Sequence, residues 1–229
     1  MKIPKRIAII PDGSRTWAEK QGLPATYGHN RGLKVLQEVI PAGFDMGAVE
    51  IAVWGASIEN LLGRPSPQTR NLCRLFKFDL KRRERMGDEN TRFLVNGLWE
   101  RHIKDPELSR LIKAAEERTK SHLGRTLIVL FGYSGWPDDI LHAAEALQKS
   151  GEDVSMESFH RNLISSSVSL NVDLIIRTGG NRHSSAGFLA CQAACAEWYV
   201  AEEDWPDFSV EKLQAAFDYF ATRPRKNGK

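Results

Sequence analysis

Four short segments carry residue types that could hold or move charge. The first is Pro11-Asp12-Gly13-Ser14-Arg15-Thr16-Trp17. An Asp, then Gly and Ser, then a basic residue, suits an anion. Gly lets the backbone come close, and N–H groups at the start of a following helix take phosphate oxygens. Asp12 is a candidate ligand for Mg²⁺, which takes oxygen ligands and often only one or two carboxylates alongside substrate phosphates. Taken alone, the stretch reads equally as an ordinary Asp-Gly turn. The second segment is Gly28-His29-Asn30-Arg31-Gly32, in which His29 is either a core or capping residue or a donor to phosphate. The third, Ser57-Ile58-Glu59-Asn60 followed by Arg64-Pro65, is a polar cluster that is functional, hydrogen-bonded, or a plain loop. The fourth, Arg177-Thr178-Gly179-Gly180-Asn181-Arg182-His183-Ser184-Ser185, is the most specific. Two arginines, two glycines and several hydroxyls make an oxyanion cradle. It has neither the Walker nor the Rossmann glycine spacing. Further on, Glu197 stands between Ala196 and Trp198, and a carboxylate in apolar surroundings needs a cation or metal. No nucleophile–base pair of a hydrolase stands out. The chemistry that fits is Mg²⁺-assisted and acts on a diphosphate or another phosphorylated small molecule.

Such residues need a scaffold that gathers them. Short apolar, β-branched-rich runs at 6–10, 49–54, 92–95, 126–131 and 173–176 read as strands covered on both faces. Between them, apolar residues recur at helical spacing: Leu33, Leu36 and Ile40; Leu72, Leu75, Phe76 and Leu80; Leu108, Leu111 and Ala115; Ile140, Ala144 and Leu147; Leu213, Ala216, Phe217 and Phe220. Ser209 reads as the N-cap of the last helix, with Lys212 where a capping-box Glu would sit. This alternation predicts an α/β fold: a single domain over 1–229 with a central, mostly parallel sheet flanked by helices. In such folds ligands sit beyond the carboxyl ends of the strands, which is where the first, third and fourth segments fall, while the second opens a helix.

Composition narrows the class. Of 229 residues, 41% are hydrophobic and 27% charged, a globular balance that excludes a fibre or a disordered chain. No apolar run approaches the roughly 18 residues of a membrane helix, and the short N-terminal run is no secretory leader, so a cytoplasmic protein is expected. A net charge of +3 does not point to nucleic acid. The basic group at 81–83 with Arg85, and the basic C-terminus, read as a solvated helix face and a frayed tail, or as phosphate-contacting groups. Cys73, Cys191 and Cys195 are expected to be reduced and buried, with Cys191 and Cys195 on one helix face.

The segments, in this order, resemble the cis-prenyltransferase family, whose best-known members are undecaprenyl diphosphate synthases. The matching residues are Ile9-Ile10, Asp12-Gly13, Trp17-Ala18, Gly28-His29, Gly32, Ser57, Glu59-Asn60, Arg64-Pro65, the run 176–180, Glu197-Trp198-Tyr199 and Trp205-Pro206-Asp207-Phe208. The resemblance implies the α/β fold already read, a homodimer, and Mg²⁺-dependent joining of an allylic diphosphate to isopentenyl diphosphate. It implies that Asp12 holds Mg²⁺ on the allylic diphosphate, that Gly13, Ser14, Arg15 and Thr16 supply N–H groups with Trp17 beside them, and that His29 assists. Arg177, Arg182 and Ser184 would hold the second diphosphate, and Glu197 would reach the metal within the chain or across the dimer. Arg64 would join the substrate-binding set and Ser57, Glu59 and Asn60 the catalytic one, with departing pyrophosphate as the other candidate base. Trp54, Phe76 and Phe78 are candidate pocket walls or core. The Arg-Arg-x-Gly tail of the family has a loose counterpart at 225–228.

Departures from the family pattern gather near the reacting carbons. Ser14 replaces an Asn often assigned to proton removal, Ala25 an Arg, Ala56 an aromatic and Leu61 a Trp. This pattern resembles a branch of the family that couples two dimethylallyl diphosphates head to middle, giving a lavandulyl or, after ring closure, cyclolavandulyl ten-carbon diphosphate. Regular cis elongation with isopentenyl diphosphate is the alternative, and a non-catalytic partner subunit is the alternative of another class.

Overall fold

Along strand β1 (Arg6–Ile10), side chains alternate between two apolar layers: Ile7 and Ile9 enter one, Ala8 and Ile10 the other. The same alternation holds in β2 (Glu50–Ala56), β4 (Arg125–Phe131) and β5 (Leu174–Arg177). That is why these strands read as continuous apolar runs, as strands buried on both faces do. With β3 (Thr91–Asn96) and β6 (Glu197–Val200) they form one six-stranded sheet in the order β3-β4-β2-β1-β5-β6. Every pairing is parallel. The coordinates are a computed structural model that describes residues 2–63, 66–87 and 90–224.

The helices in chain order are α1 (Ser14–Lys20), α2 (Ala25–Asp45), α3 (Ile58–Gly63), α4 (Ser66–Met86), α5 (Trp99–His102), α6 (Pro106–Arg118), α7 (Ile140–Ser150), α8 (Met156–Arg161) and α9 (Val210–Thr222). α2, α4, α6 and α9 cover the Ile7/Ile9 face. The other face packs beneath Tyr133, Ile164, Val168, Phe188 and Leu189. α6 begins at an Asp105 cap whose carboxylate accepts from the Leu108 N–H at 3.0 Å, with Pro106 in the first turn. Ser209 caps α9, as expected, by accepting from the Lys212 N–H.

The chain steps from β1 to β2 on one side and comes back as β5 on the other, so the sheet's topological switch lies between β1 and β5. α1 and α2 follow β1 and pack tightly. A Cβ at Gly28 would stand 1.8 Å from the Ser14 carbonyl oxygen, so only glycine lets the two helices meet.

Three expectations are corrected. β6, read as part of a motif and not as a strand, pairs with β5. The Cys191–Cys195 stretch forms turns, not a helix; of the three cysteines only Cys73 is buried, and none forms a disulfide. Phe78 is half exposed on the outer side of α4 and is no pocket wall. In the basic group, Lys81 reaches Glu107 at 2.6 Å on the surface, whereas Arg83 turns inward to Asp79. The tail at 225–228 lies outside the described residues.

Two outcomes follow. Gly28→Ala is expected to cost about 2 kcal/mol through overpacking, a fall of roughly 4–8 °C in thermal midpoint for a chain of this size; differential scanning calorimetry checks it. The Asp105 carboxyl is held below its ordinary value by the Lys77 ammonium, then by the Leu108 N–H. Its folded value is depressed, so its contribution is complete above the unfolded value near 3.9 and is lost as pH falls through the folded one. Asp105→Asn should therefore melt below wild type at pH 7, and the gap should close as pH drops below about 4.

Candidate active site

The loops after β1 and β5 meet at the switch point. Asp12 follows β1, and its Oδ1 accepts from the Gly13 N–H at 2.8 Å. Its Oδ2 accepts from Arg177 Nη2 at 2.9 Å and from Asn181 Nδ2 at 3.1 Å. Its carbonyl oxygen takes the Thr178 hydroxyl at 2.6 Å and the Trp205 N–H at 2.8 Å. Arg177 is the buried member of the pair, with 3% of its side chain exposed against 41% for Asp12. It also donates to the His183 carbonyl, and its Nε is buried with no hydrogen-bond partner among the described residues.

Below this head lies a cavity of about 610 Å³ between α2, α4 and the sheet. That is a small-molecule size. Asp12, Gly13, Ser14, Arg15, Thr16, His29, Ser57, Glu59 and Asn60 line its mouth. Leu33, Leu36, Ile40, Leu75, Phe76 and Val129 form an apolar throat. Gly13 stands at φ 98° before α1, a conformation that favours glycine, and no side chain caps that helix. The first-turn N–H groups of α1 therefore have no acceptor one turn back. Trp54 stacks on Phe188 at 5.1 Å along the rim.

Glu59 sits at the rim. Burial would raise its carboxyl, but its own backbone N–H and the hydroxyls of Ser57 and Ser134 outweigh that and hold it below the ordinary carboxylate value. The Ser134 hydroxyl lies 2.8 and 2.9 Å from its two oxygens. Ser57 Oγ also accepts the Asn60 N–H at 3.0 Å, which ties the three expected residues into one corner.

Other expected residues go elsewhere. Trp17 does not line the cavity; its Nε1 donates to Asp207 at 2.9 Å. The Gly179 and Gly180 N–H groups donate to the carbonyls of Glu203 and Ala201, so they bind β6's following loop and not an anion. Arg182 is exposed and paired with Glu202 at 2.8 Å. Ser184 is exposed, whereas Ser185 and Ala186 line the cavity. Glu197 begins β6 level with Leu174, at the opposite end of the sheet from Asp12, and lies 3.4 Å from Arg223. Within one chain it does not approach Asp12. Arg64 lies outside the described residues. Sequence reasoning missed Gln37, Asp79 and Arg83, which also line the cavity.

No cluster of three His, Cys, Asp or Glu side chains that could cage a metal occurs among the described residues. Mg²⁺ needs no such cage when one carboxylate shares it with substrate phosphates and water. A single, partly exposed carboxylate at the head of an anion-sized mouth fits that donor set.

The fold and this site define an α/β enzyme for a ligand with an anionic head and an apolar tail. The chain matches, over residues 10–228, the family model described as "Putative undecaprenyl diphosphate synthase". It is 34% identical over 229 residues to the isoprenyl transferase of Fusobacterium nucleatum, covering 99% of this chain and 96% of that protein. It is 35% identical to a ditrans,polycis-undecaprenyl-diphosphate synthase ((2E,6E)-farnesyl-diphosphate specific) of Shewanella oneidensis, covering 99% and 83%. Its fold is similar to that of lavandulyl diphosphate synthase from Lavandula x intermedia, solved in complex with dimethylallyl diphosphate: TM-score 0.89, 26% identity, 99% of each chain. The chain belongs to the cis-prenyltransferase family of undecaprenyl diphosphate synthase-like enzymes, and it is an isoprenyl diphosphate synthase.

Asp12→Asn should lower turnover at least about 100-fold, as loss of one preorganised charge does. It also leaves Arg177 buried opposite a neutral amide, which is destabilising. Adding Arg177→Gln should restore part of the lost stability and none of the activity. Thermal midpoints and turnover of wild type, the single and the double variant check this.

Proposed function

We propose that the chain joins two molecules of dimethylallyl diphosphate head to middle, giving a branched ten-carbon diphosphate of the lavandulyl type, with closure to a cyclolavandulyl ring as a further step. The observation that carries this reading is Ser14. It lines the cavity beside Asp12, where the family pattern places an Asn often assigned to proton removal. A hydroxyl carries donor and acceptor on one atom and does not reproduce an amide's separate NH₂ and C=O groups, so the diphosphate head is retained while the group beside the reacting carbons changes. The likeness to a lavandulyl diphosphate synthase supports the same reading.

Members of the family use Mg²⁺. Here Asp12 would hold it together with diphosphate oxygens, and the ion would neutralise charge growing on the leaving diphosphate. The chain's own residues do the rest. Gly13 N–H, Arg177 and Asn181 orient both Asp12 oxygens before any ligand arrives. Ser185, which lines the cavity, would meet the second diphosphate, and Arg182 and Ser184 would hold it only after turning in from the exposed part of the same loop. The walls from Leu33 to Phe76 exclude water from an allylic cation, which water would otherwise quench. Glu59 is a weaker base than an ordinary carboxylate because three hydrogen bonds stabilise its ionised form. The departing diphosphate is accordingly the better proton acceptor. We place the enzyme in the cytoplasm, where three cysteines that form no disulfide are at home. We also place it in a homodimer, because Glu197 lies too far from Asp12 to serve the site of its own chain.

Regular cis elongation is a second reading, favoured by relatives named for that activity over 99% of this chain. Incubation with Mg²⁺ and dimethylallyl diphosphate alone, phosphatase treatment and gas chromatography–mass spectrometry separate the two. A branched or cyclic ten-carbon alcohol is expected, and none when the metal is chelated. Linear cis alcohols that form only after isopentenyl diphosphate is added would establish elongation in its place.

A further inference from the structure

The Glu59 carboxylate is held from behind. Ser134 is wholly buried and does not line the cavity, yet its hydroxyl lies 2.8 and 2.9 Å from the two Glu59 oxygens. A hydroxyl has one proton to give, so that proton is shared between both oxygens and points at the middle of the carboxylate. The Ser57 hydroxyl reaches the same group. Two hydroxyls from the ends of neighbouring strands, β2 and β4, therefore meet on one carboxylate.

The backbone around Ser134 is fixed on both sides. Upstream, the Gly132 and Tyr133 N–H groups donate to the Ala56 carbonyl at 2.9 and 3.2 Å, which ties the turn after β4 to the residue before Ser57. The Tyr133 carbonyl accepts from Trp54 Nε1 at 3.2 Å, and the Tyr133 hydroxyl donates to the buried Asp139 at 3.0 Å. Asp139 accepts in turn from the Ser165 hydroxyl at 2.5 Å. Downstream, a Cβ at Gly135 would stand 2.0 Å from the Gly187 carbonyl oxygen, so the turn that carries Ser185 and Ala186 is packed against this one. Ser134 itself is extended, at φ −128° and ψ 131°, a conformation that any residue adopts. The backbone does not call for serine there. Among the described residues, the hydroxyl bonds to Glu59 alone.

We propose that Ser134 is a positioning residue for the condensation: it holds the Glu59 carboxylate in place at the mouth, so that a fixed negative charge faces the allylic centre as positive charge develops there. The proposal rests on the reading of the Asp12-headed cavity as the site of condensation, and it gives Glu59 a task other than taking the proton. A carboxylate that must turn at the moment of reaction loses part of its effect to reorganisation, and one already held does not. Ser57 does not do this alone, because a carboxylate gripped by one hydroxyl still turns about that contact.

The test is a double-mutant cycle. Turnover is read as total coupled product with Mg²⁺ and dimethylallyl diphosphate, with and without isopentenyl diphosphate, so that either mode of coupling counts. Ser134→Ala is expected to lower kcat about tenfold, as loss of one hydrogen bond to a charged group does. KM should stay within about twofold, because the lost contact acts on the transition state and not on bound substrate. Ser134→Thr keeps the hydroxyl and should recover most of the loss. Once Glu59→Ala has removed the carboxylate, Ser134→Ala should cost no more than about a further twofold. A merely structural serine would cost the same in both backgrounds. Circular dichroism is the folding control, and Ser134→Cys, which fills the same space with a weak donor, takes the place of the alanine variant if that does not fold. An unchanged kcat in the folded variant overturns the proposal, and so does an equal loss with and without Glu59. Wild-type turnover in Glu59→Ala also overturns it and leaves the Asp12-headed site standing, whereas no coupled product from wild type with either substrate set removes the reading of that site as well.

Discussion

Everything at the mouth depends on one buried guanidinium. Arg177 is almost wholly withdrawn from water, and a charge in that position is tolerable only when paired. Its partner is Asp12, a residue in the loop after a different strand and 165 positions away. The pair therefore does two things at once. It welds the carboxyl ends of β1 and β5 at the place where the sheet reverses its order. It also fixes the direction of the one carboxylate that heads the cavity. The weld is doubled through the backbone, since the Asp12 carbonyl takes both the Thr178 hydroxyl and the Trp205 N–H. Trp205 then reaches the Gly32 carbonyl of α2 at 2.9 Å. Three chain segments thus converge on Asp12, and the carboxylate is oriented before substrate enters, which is the condition for electrostatic preorganisation.

Four of the six strands were legible in the sequence because burial on both faces leaves an uninterrupted apolar run, and the edge strand β3 was legible because it carries Phe93, Leu94 and Val95 in a row. β6 was not. It is an edge strand of intermediate burial that opens with Glu197, and it looks like a strand only once β5 is beside it. The stretch before it misled for a different reason. Cys191 and Cys195 stand at helical spacing, yet Leu189 upstream has φ 49° and Ala186 has φ 45°. Backbone in the left-handed region breaks a helix, and nothing in side-chain type announced it.

The chemistry-bearing segments were legible as types, less so as roles. The Arg177–Ser185 run does close the site, but its glycine N–H groups are consumed by β6's following loop. Trp17 is equally specific in sequence and equally structural in place, because an indole N–H beside Asp207 is satisfied there. Asp79 had a signal that went unused. Phe76, Asp79, Leu80 and Arg83 share one helical stripe by their spacing. A charged residue on the buried side of such a stripe requires a partner, and Arg83 one turn on is that partner.

Head and tail of the cavity are built from different material, and this bears on how such a site changes. The head is backbone and a buried charge pair, locked into sheet topology, so altering it disturbs the fold. The tail is a set of side chains projecting from α2 and α4, which can be exchanged without moving a strand. Ser14 lies between the two. It is the first residue of α1, and its carbonyl is pressed against Gly28 while its hydroxyl lies near Gly32. Its backbone is committed to the fold and its side chain is not. On the proposed reading, in which Asp12 and Arg177 hold the diphosphate, a substitution at that point changes the group beside the reacting carbons and leaves the head in place, so a change of coupling chemistry would require no change of architecture.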